Sequence, residues 1–254
     1  FTYTNISAYS GWLNALNKNT VTNTADGKAE QRVNFLRGNA NDELRVRKVL
    51  TNSQPNVLGD IVNSSLERVK GARYRASAAD ALEGTTGAAS YATFASGLDS
   101  KPEMLYVGAN DGMLHAFKAA DGTETFAFIP TAVRETLSDL TTPKYGASGK
   151  AHRYFVDGTP VISDVYFGGA WHKVLIGSLG AGGQQIFALD ITDPESPKLL
   201  WEFGTTQGDK LGYTMAQPTI ARLNDNGAVK GKWVVILPNG YQGLNSATGQ
   251  ASLY

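Results

Sequence analysis

The chain has 254 residues and a mass of 27.1 kDa, and 42% of its residues are hydrophobic, so it can bury a sizeable core. Its 23 basic and 23 acidic residues balance, which argues against functions that need a strong global field, such as nucleic-acid binding. It contains no cysteine, which excludes thiol nucleophiles, thiolate metal sites and disulfides.

The sequence has no apolar run near the roughly 18 residues that a membrane helix needs, and no leader peptide opens it. Phe1 is not an initiator methionine. We therefore expect a mature segment or a piece of a longer protein.

Residues 1–57 are polar, rich in Asn and Thr, and partly helical, and we treat them as an N-terminal lead-in. Trp12 and Leu16 lie four residues apart, which suits one face of a short helix. Glu30–Leu36 predicts a second helix, and Gly38 stands where a left-handed C-cap would fall. The stretch between them, Asn17–Asp26, is expected to be a loop.

An arginine-rich stretch, Arg37–Lys48, ends the lead-in and holds four cations. Asp42 and Glu43 interrupt it. We therefore expect a solvated or locally paired surface here, in preference to a phosphate-binding patch.

From Leu58 onward the sequence predicts β-structure: short runs of β-branched and aromatic residues alternate with Gly, Pro, Asp and Asn. Ala132–Leu140 is the one helical exception. The small-residue stretch Ala76–Ser100 is expected to be a long surface loop, within an insertion of about residues 70–102 between two strands. The predicted strands are Ile61–Val62, Met104–Val107, Leu114–Phe117, Phe126–Ile129, Tyr154–Val156, Val161–Phe167, Val174–Ile176, Ile186–Leu189, Leu199–Phe203, Thr219–Leu223 and Trp233–Leu237.

These strands repeat. Gly158–Phe167 (GTPVISDVYF) returns as Ala216–Asp225 (AQPTIARLND), and Lys173–Gly180 (KVLIGSLG) returns as Lys232–Gly240 and echoes Met104–Asp111. Third strands follow as LHAFKAADG, IFALDITDP and the final ASLY, and fourth strands as ETFAFIP and KLLWEFG. The repeat spacing of roughly 60 to 95 residues is long, and insertions account for the excess.

Each repeat unit has the order of a four-stranded antiparallel sheet, and such a sheet buries both faces only by stacking on others. The sequence thus predicts an all-β fold: a modified β-propeller over residues 58–254, with two complete blades and one partial blade. The stretch YVGANDGMLHAFKAADG also resembles the blades of quinoprotein-type propellers. That likeness is architectural and assigns no cofactor.

Residue patterns for catalysis are weak. The three histidines are His115, His152 and His172, and a hydrogen-bonded structural role is the favoured interpretation of His115. No metal-binding histidine pair and no G-x-S-x-G hydrolase motif is present. Gly177–Gly183 (GSLGAGG) precedes a strand rather than a helix, so it is a hairpin loop rather than a phosphate cradle.

Two clusters of side-chain oxygens, Asn224–Gly227 and Asp190–Asp193, are explained by turn chemistry, because neither completes a calcium-binding loop. The aromatic residues Tyr145, Trp171 and Tyr241 fit an adhesive surface patch and a buried core equally well.

Several phrases together resemble the C-terminal domain of the PilY/PilC family of type IV pilus biogenesis factors and tip-associated adhesins. They occur in the family's order and cover nearly the whole chain from Arg32. The phrases are RVNFLRGNANDELRVRKVL (Arg32–Leu50), LGDIVNSS (Leu58–Ser65), MLYVGANDGMLHAF (Met104–Phe117), IFALDITDPESPKLLWEF (Ile186–Phe203), LGYTMAQPTIARL (Leu211–Leu223) and NGYQ (Asn239–Gln242).

The resemblance implies a non-enzymatic, exported protein associated with the outer membrane, the bacterial surface and the pilus tip. It implies opposition to pilus retraction and contributions to adhesion and twitching motility. The implied partners are minor pilins, a host surface and the rest of the same polypeptide.

This sequence departs from the family pattern in two places. Leu66-Glu67 stands where the family has Pro-Val, and the family's calcium loop would lie beyond Tyr254, so calcium is expected only in the full-length domain and on no residue here.

Two alternatives remain beside this hypothesis. The blade pattern also suits a quinoprotein-like propeller enzyme or a sugar-binding propeller, although an enzyme needs ionisable residues that converge on a pocket. A purely structural spacer is the other possibility.

Overall fold

The structure is a computed structural model and describes residues 1–39, 44–47, 56–147, 149–204, 211–223, 231–243 and 252–254. Its α-helices are Tyr3–Ile6 (α1), Ser10–Leu16 (α2), Ala29–Leu36 (α3), Ala76–Glu83 (α4) and Tyr91–Asp99 (α5), with 3₁₀ helices at Gly87–Ala89 and Thr131–Thr141. Its strands are Glu67–Val69 (β1), Met104–Gly108 (β2), Leu114–Lys118 (β3), Glu124–Phe128 (β4), Val161–Phe167 (β5), Ala170–Ser178 (β6), Gln185–Asp190 (β7), Lys198–Gly204 (β8), Thr219–Arg222 (β9) and Trp233–Ile236 (β10).

The lead-in forms the two helices predicted from its sequence, α2 and α3. Leu16 and Val33 are fully buried against the 3₁₀ helix Thr131–Thr141, which joins β4 to the following sheet. Gly38 has a φ of 91° and donates to the carbonyl of Phe35, while Asn39 donates to that of Asn34. This is the paired hydrogen-bond pattern of a Schellman C-cap, and it confirms the predicted helix end.

Two four-stranded antiparallel sheets follow, in the orders β1-β2-β3-β4 and β5-β6-β7-β8. They are the first and second blades. β9 and β10 begin a third sheet, and Tyr254 exchanges two backbone hydrogen bonds with Leu237 just beyond β10. The last residues thus occupy the position of a third strand, as the repeat predicted.

The core between the blades is apolar. Tyr106, Leu114 and Ala116 of the first blade form one buried cluster with residues of the second, including Phe187, whose ring centroid lies 4.9 Å from that of Phe128. A second cluster joins Ile176 and neighbouring residues of the second blade to β9 and β10. Stacking of successive sheets therefore buries both faces of the second blade.

Two predicted strands are absent. Ile61–Val62 is an irregular segment, and the first blade begins instead at Glu67. Tyr154–Val156 is also irregular, because Phe155 N donates to the side chain of Asn110. Both segments contain bends, and Val156 N donates to the carbonyl of Ala109, so neither segment forms a strand ladder.

The insertion between β1 and β2 is helical, so the prediction of a loop over Ala76–Ser100 was wrong. Helix α4 ends at Gly84, which has a φ of 68°, and Ser90 caps α5 by accepting from Thr93 N. Tyr91 and Leu98 are buried on one face of α5. The predicted helix over Ala132–Leu140 is present, as a 3₁₀ helix. None of the helices among the described residues has the length and apolarity that a membrane span requires.

Candidate functional site

The segment Leu58–Ser65, which we call the clasp, lies across the turn between β2 and β3. Gly59 N donates to Asp111 Oδ2 at 2.7 Å. Asn110 donates to Asp60 twice, from its backbone to the carbonyl and from its side chain to Oδ2, both at 3.0 Å. A Cβ at Gly59 would overlap the backbone nitrogen of Asp111, so only glycine allows this approach.

The second half of the clasp contacts the connection that leads into the second blade. Asn63 donates to Asp157 from its backbone at 3.2 Å and from its side chain at 2.6 Å. Ser64 Oγ accepts from Gly108 N, and Ser65 N donates to Thr159 Oγ1, both at 2.9 Å. The clasp therefore fixes the first blade against the start of the second.

His115 lies beneath the clasp, on β3. Its Nε2 is 3.0 Å from both carboxylate oxygens of Asp111, and its Nδ1 is 2.6 Å from Glu124 Oε1. Burial lowers the pKa of His115, but the hydrogen bonds to Asp111 and Glu124 outweigh it and raise the pKa to about 9. An imidazolium held between two carboxylates at neutral pH is a structural ion cluster rather than a general base.

The other two histidines lie elsewhere. His152 Nε2 is 2.9 Å from Asp60, at the clasp, and His172 Nδ1 is 2.7 Å from Asp190, on the second blade. The structure does not bring the three rings together. Among the described residues, no group of three or more His, Cys, Asp or Glu side chains could hold a metal ion.

The glycine-rich loop 177–183 is packed against other residues. A Cβ at Gly177 would overlap the ring of Phe187, and one at Gly182 would overlap the carbonyl of Phe155. Backbone and aromatic atoms thus occupy the space that a phosphate would need. These glycines serve close packing.

The described oxygen cluster, Asp190–Asp193, does not fit calcium. Asp190 Oδ1 accepts from Thr192, and its Oδ2 contacts His172. Asp193 forms an ion pair with Lys101 at 3.0 Å. The second cluster, Asn224–Gly227, lies outside the described residues.

The aromatic residues do not form a common patch. Trp171 is buried, with its ring centroid 4.7 Å from that of Tyr91. Tyr145 packs partly buried beneath the guanidinium of Arg45, at 5.0 Å. Tyr241 is exposed.

The described side chains of the arginine-rich stretch donate hydrogen bonds to backbone carbonyl groups. Arg37 donates to the carbonyl of Phe1, Arg45 to that of Leu140 and Arg47 to that of Phe35. Asp42, Glu43 and Lys48 lie outside the described residues.

The helical insertion, residues 70–102, contacts all three sheets, and we call it the brace. Tyr91 OH donates to Asp164 Oδ2 at 2.6 Å, and the same buried carboxylate pairs with Lys173 of β6. Burial, followed by the hydrogen bond to Asp164, raises the pKa of Tyr91, so the phenol keeps its proton. This cluster fixes the brace to the second blade.

The far end of α4 reaches the third sheet. Glu83 Oε1 accepts from Arg222 Nε and from Trp233 Nε1, both at 2.8 Å. The brace leaves the first blade after β1 and returns at β2, so one segment joins three successive sheets. Sequence reasoning missed it, although the spacing of Tyr91, Phe94 and Leu98 on one helical face indicates α5.

An apolar groove of about 570 Å³ separates the outer part of the second blade from β10. Val174, Ala188 and Trp201 line one side, and Trp233 and Val235 line the other. The groove therefore lies between the facing surfaces of the second and third sheets.

Comparison with known proteins identifies the family. The family model described as the PilY1 β-propeller domain matches residues 58–254. The chain belongs to the PilY1 β-propeller domain family. This membership agrees with the family resemblance and with the fold, whose four-stranded antiparallel sheets stack as successive blades.

Relatives of this PilY1-family chain include the type IV pilus biogenesis factor PilY1 of Pseudomonas aeruginosa strain UCBPP-PA14, with 48% identity over 95% of this chain and 19% of the relative. The PilY1 of strain PAK is 50% identical over 87% of this chain and 18% of the relative. A PilY1 homologue of Xylella fastidiosa Temecula1 is 39% identical over 95% of this chain and 18% of the relative. The chain therefore spans about a fifth of the length of these relatives.

Among solved structures, the chain is similar to the crystal structure of the Pseudomonas aeruginosa PilY1 C-terminal domain. The TM-score is 0.58 at 46% sequence identity, over 73% of this chain and 33% of that chain. The clasp begins at the first residue of the PilY1 family match, and its contacts give a physical reason for the LGDIVNSS phrase.

Proposed function

We propose that the chain is part of a non-enzymatic type IV pilus biogenesis factor that supports pilus assembly by opposing retraction and contributes to adhesion and twitching motility. The observation that carries the proposal is the 48% identity over 95% of the chain to a protein named as such a factor. That name describes a whole protein of which the chain matches 19%, so its transfer to this chain is part of the proposal.

The geometry supports a binding module more than an enzyme. Each histidine contacts at least one carboxylate, and the glycine-rich loop is filled by packed atoms. The clasp and the brace instead hold several sheets in a fixed arrangement. Loops on such a scaffold are suited to contact a partner protein.

The proposed location is the bacterial surface and the pilus tip, after export. The proposed partners are minor pilins, a host surface and the rest of the same polypeptide, with calcium bound only by parts of the full-length domain beyond Tyr254. The unfinished third sheet and its apolar groove favour the contact with the same polypeptide.

A genetic experiment tests the proposed function. In a piliated bacterium, the full-length protein is replaced by a form that lacks residues 58–254, in strains with and without pilus retraction. We expect surface pili to be lost in the retracting strain and restored where retraction is blocked, as counted by electron microscopy and sheared-pilin assay. Loss of pili in both strains would contradict opposition to retraction and indicate a role in assembly alone.

A pull-down with the complete C-terminal domain as bait tests the partners. We expect mass spectrometry to recover minor pilins. Substitution of the exposed residues Tyr154 or Tyr241 by Ser then separates a contact role from a spacer role, because a spacer tolerates both changes. Recovery of no pilin, together with binding of a sugar, would favour a sugar-binding propeller.

A further inference from the structure

A second cleft, of about 450 Å³, lies beside the clasp and takes no part in the blade packing. Its walls come from the end of α3, from residues 45–47 and 56–60, from the β2–β3 turn and from residues 140–145. Phe35, Leu58 and Leu140 supply apolar surface, and Arg45 and Arg47 supply charge. A volume of this size is ordinary for a site that holds a small ligand or a few residues of a peptide.

Both guanidinium groups are held in place before any ligand binds. Arg45 donates to the carbonyl of Leu140 at 3.0 Å and lies 5.0 Å above the ring of Tyr145. Arg47 donates to the carbonyl of Phe35 at 2.7 Å and lies 4.0 Å above the same residue's ring. Fixed planar forks of this kind lose little conformational entropy when they bind an oxyanion.

The two arginines lack a carboxylate partner within the described part of the chain, unlike Arg32 and Arg222, which pair with Asp26 and Glu83. Arg47 Nε is buried and donates to no acceptor among the described residues. Burial, and then the charge of Arg45, lower the pKa of Arg47. Arg47 Nη1 donates to the carbonyls of Asn56 and Val57, at 3.4 and 3.2 Å. A buried donor without an acceptor is costly, so the unpaired Nε leaves Arg47 favouring a further partner.

The two carboxylates on the opposite wall are already engaged. Asp111 accepts from Gly59 N and contacts His115, while Asp60 accepts from Asn110 and contacts His152. The charge of Asp111 also acts on Arg47, where it opposes the lowering of the pKa. The two carboxylates therefore keep the net charge of the cleft small.

We propose that this cleft binds an acidic peptide segment, with one Asp or Glu carboxylate on Arg45 and Arg47 and neighbouring apolar side chains on Phe35, Leu58 and Leu140. A ligand carboxylate carries one negative charge, which the two guanidinium groups attract. A phosphate dianion carries two, and Asp60 and Asp111 on the opposite wall would repel it more strongly. The apolar walls suit the carbon atoms of a peptide. The assignment goes beyond the proposed function and does not depend on it.

A peptide titration tests the assignment on the full polypeptide that carries this chain. The probes are a fluorescent hexapeptide with one Glu between leucines and the same peptide with Gln. We expect fluorescence anisotropy to show at least about tenfold tighter binding of the Glu peptide, since charged hydrogen bonds are the stronger kind. We expect Arg45→Gln to remove that preference and Arg45→Lys to keep part of it.

Arg75→Gln is the matched control, because Arg75 is an exposed arginine outside the cleft. It should leave the preference unchanged. Acetate should displace the Glu peptide at lower concentration than phosphate does. Equal binding of the two peptides, an unchanged preference in Arg45→Gln, or stronger displacement by phosphate would each overturn the assignment. If thermal unfolding shows that Arg45→Gln is destabilised, Arg45→Lys decides between these outcomes.

Discussion

At the residue scale, one position of the repeat takes two forms. His115 on β3 and Phe187 on β7 occupy equivalent positions, because each comes just before the alanine at which the third strand shifts its register against the fourth strand. Phe187 packs on Phe128 of the preceding blade. His115 instead lies between Asp111 and Glu124, beside the clasp. The first blade thus has a buried ion cluster at a position that the second blade fills with an aromatic ring.

The pKa of His115 makes a stability prediction. Its folded-state pKa of about 9 lies above the ordinary value of 6.5, so the stabilisation is complete below pH 6.5 and is lost as the pH rises through 9. The free energy of unfolding should fall by up to about 3 kcal/mol across this range. Urea denaturation at several pH values, followed by tryptophan fluorescence, measures the fall.

Two variants control this prediction. His115→Gln should remove the pH dependence of the free energy of unfolding. Glu124→Gln keeps the His115 ring but removes one of its two carboxylate partners, so it should reduce that dependence. An unchanged fall in His115→Gln would assign the dependence to another group.

The sequence predicts the local chemistry of this region and not its long-range contacts. The Asp111-Gly112 turn and a structural His115 follow from neighbouring residues. The clasp does not, because Gly59 and Asp111 are 52 positions apart and Asn63 and Asp157 are 94 apart. The error at Ile61–Val62 has the same cause: two adjacent β-branched residues favour a strand, but the backbone around them bonds to distant side chains.

At the element scale, the brace shows how composition can conceal a helix. Ala, Ser, Thr and Gly dominate residues 76–100, and that composition suggested a loop. The helices form because Gly84 caps the end of α4, Ser90 caps the start of α5, and the buried ring of Tyr91 packs against Trp171. Tertiary packing therefore outweighs the modest local preferences.

Glu83→Ala tests the connection between the brace and the third sheet. The substitution leaves Arg222 Nε and Trp233 Nε1 without their shared acceptor in a largely buried site, which should destabilise the contact by about 2–4 kcal/mol. Hydrogen exchange followed by mass spectrometry should show faster exchange in β9 and β10 and unchanged exchange in β2.

Glu135→Ala is the matched control for the brace. Glu135 forms an exposed ion pair with Arg134, so its loss should cost no more than about 0.5 kcal/mol. Unchanged protection of β9 and β10 in Glu83→Ala would show that apolar packing alone holds the third sheet.

At the scale of the whole molecule, the repeat was the most informative feature of the sequence. It predicted the strand order of the second blade, the second to fourth strands of the first blade, the start of the third blade and the position of residues 252–254 as a further strand. It could not predict that the brace joins three sheets, because that contact depends on Asp164, Lys173 and Glu83 meeting across the fold. The repeated strands determine how the sheets stack, and the inserted brace supplies the side-chain contacts that hold the stacked sheets together.

The unfinished third sheet supports a last prediction. In a polypeptide that stops at Tyr254, the described part of the chain places β9 on one side of β10 and residues 252–254 at its end, and the groove lined by Trp201 and Trp233 stays open. Exposed strand edges and apolar faces favour aggregation and local opening. We expect limited proteolysis with intact-mass analysis to show early cleavage within residues 211–243. A polypeptide continued to the end of the family domain should resist cleavage there, because further strands cover the groove. A monodisperse, protease-resistant species of 254 residues alone would contradict this prediction, and it would mean that the clasp and the brace suffice to hold an open propeller.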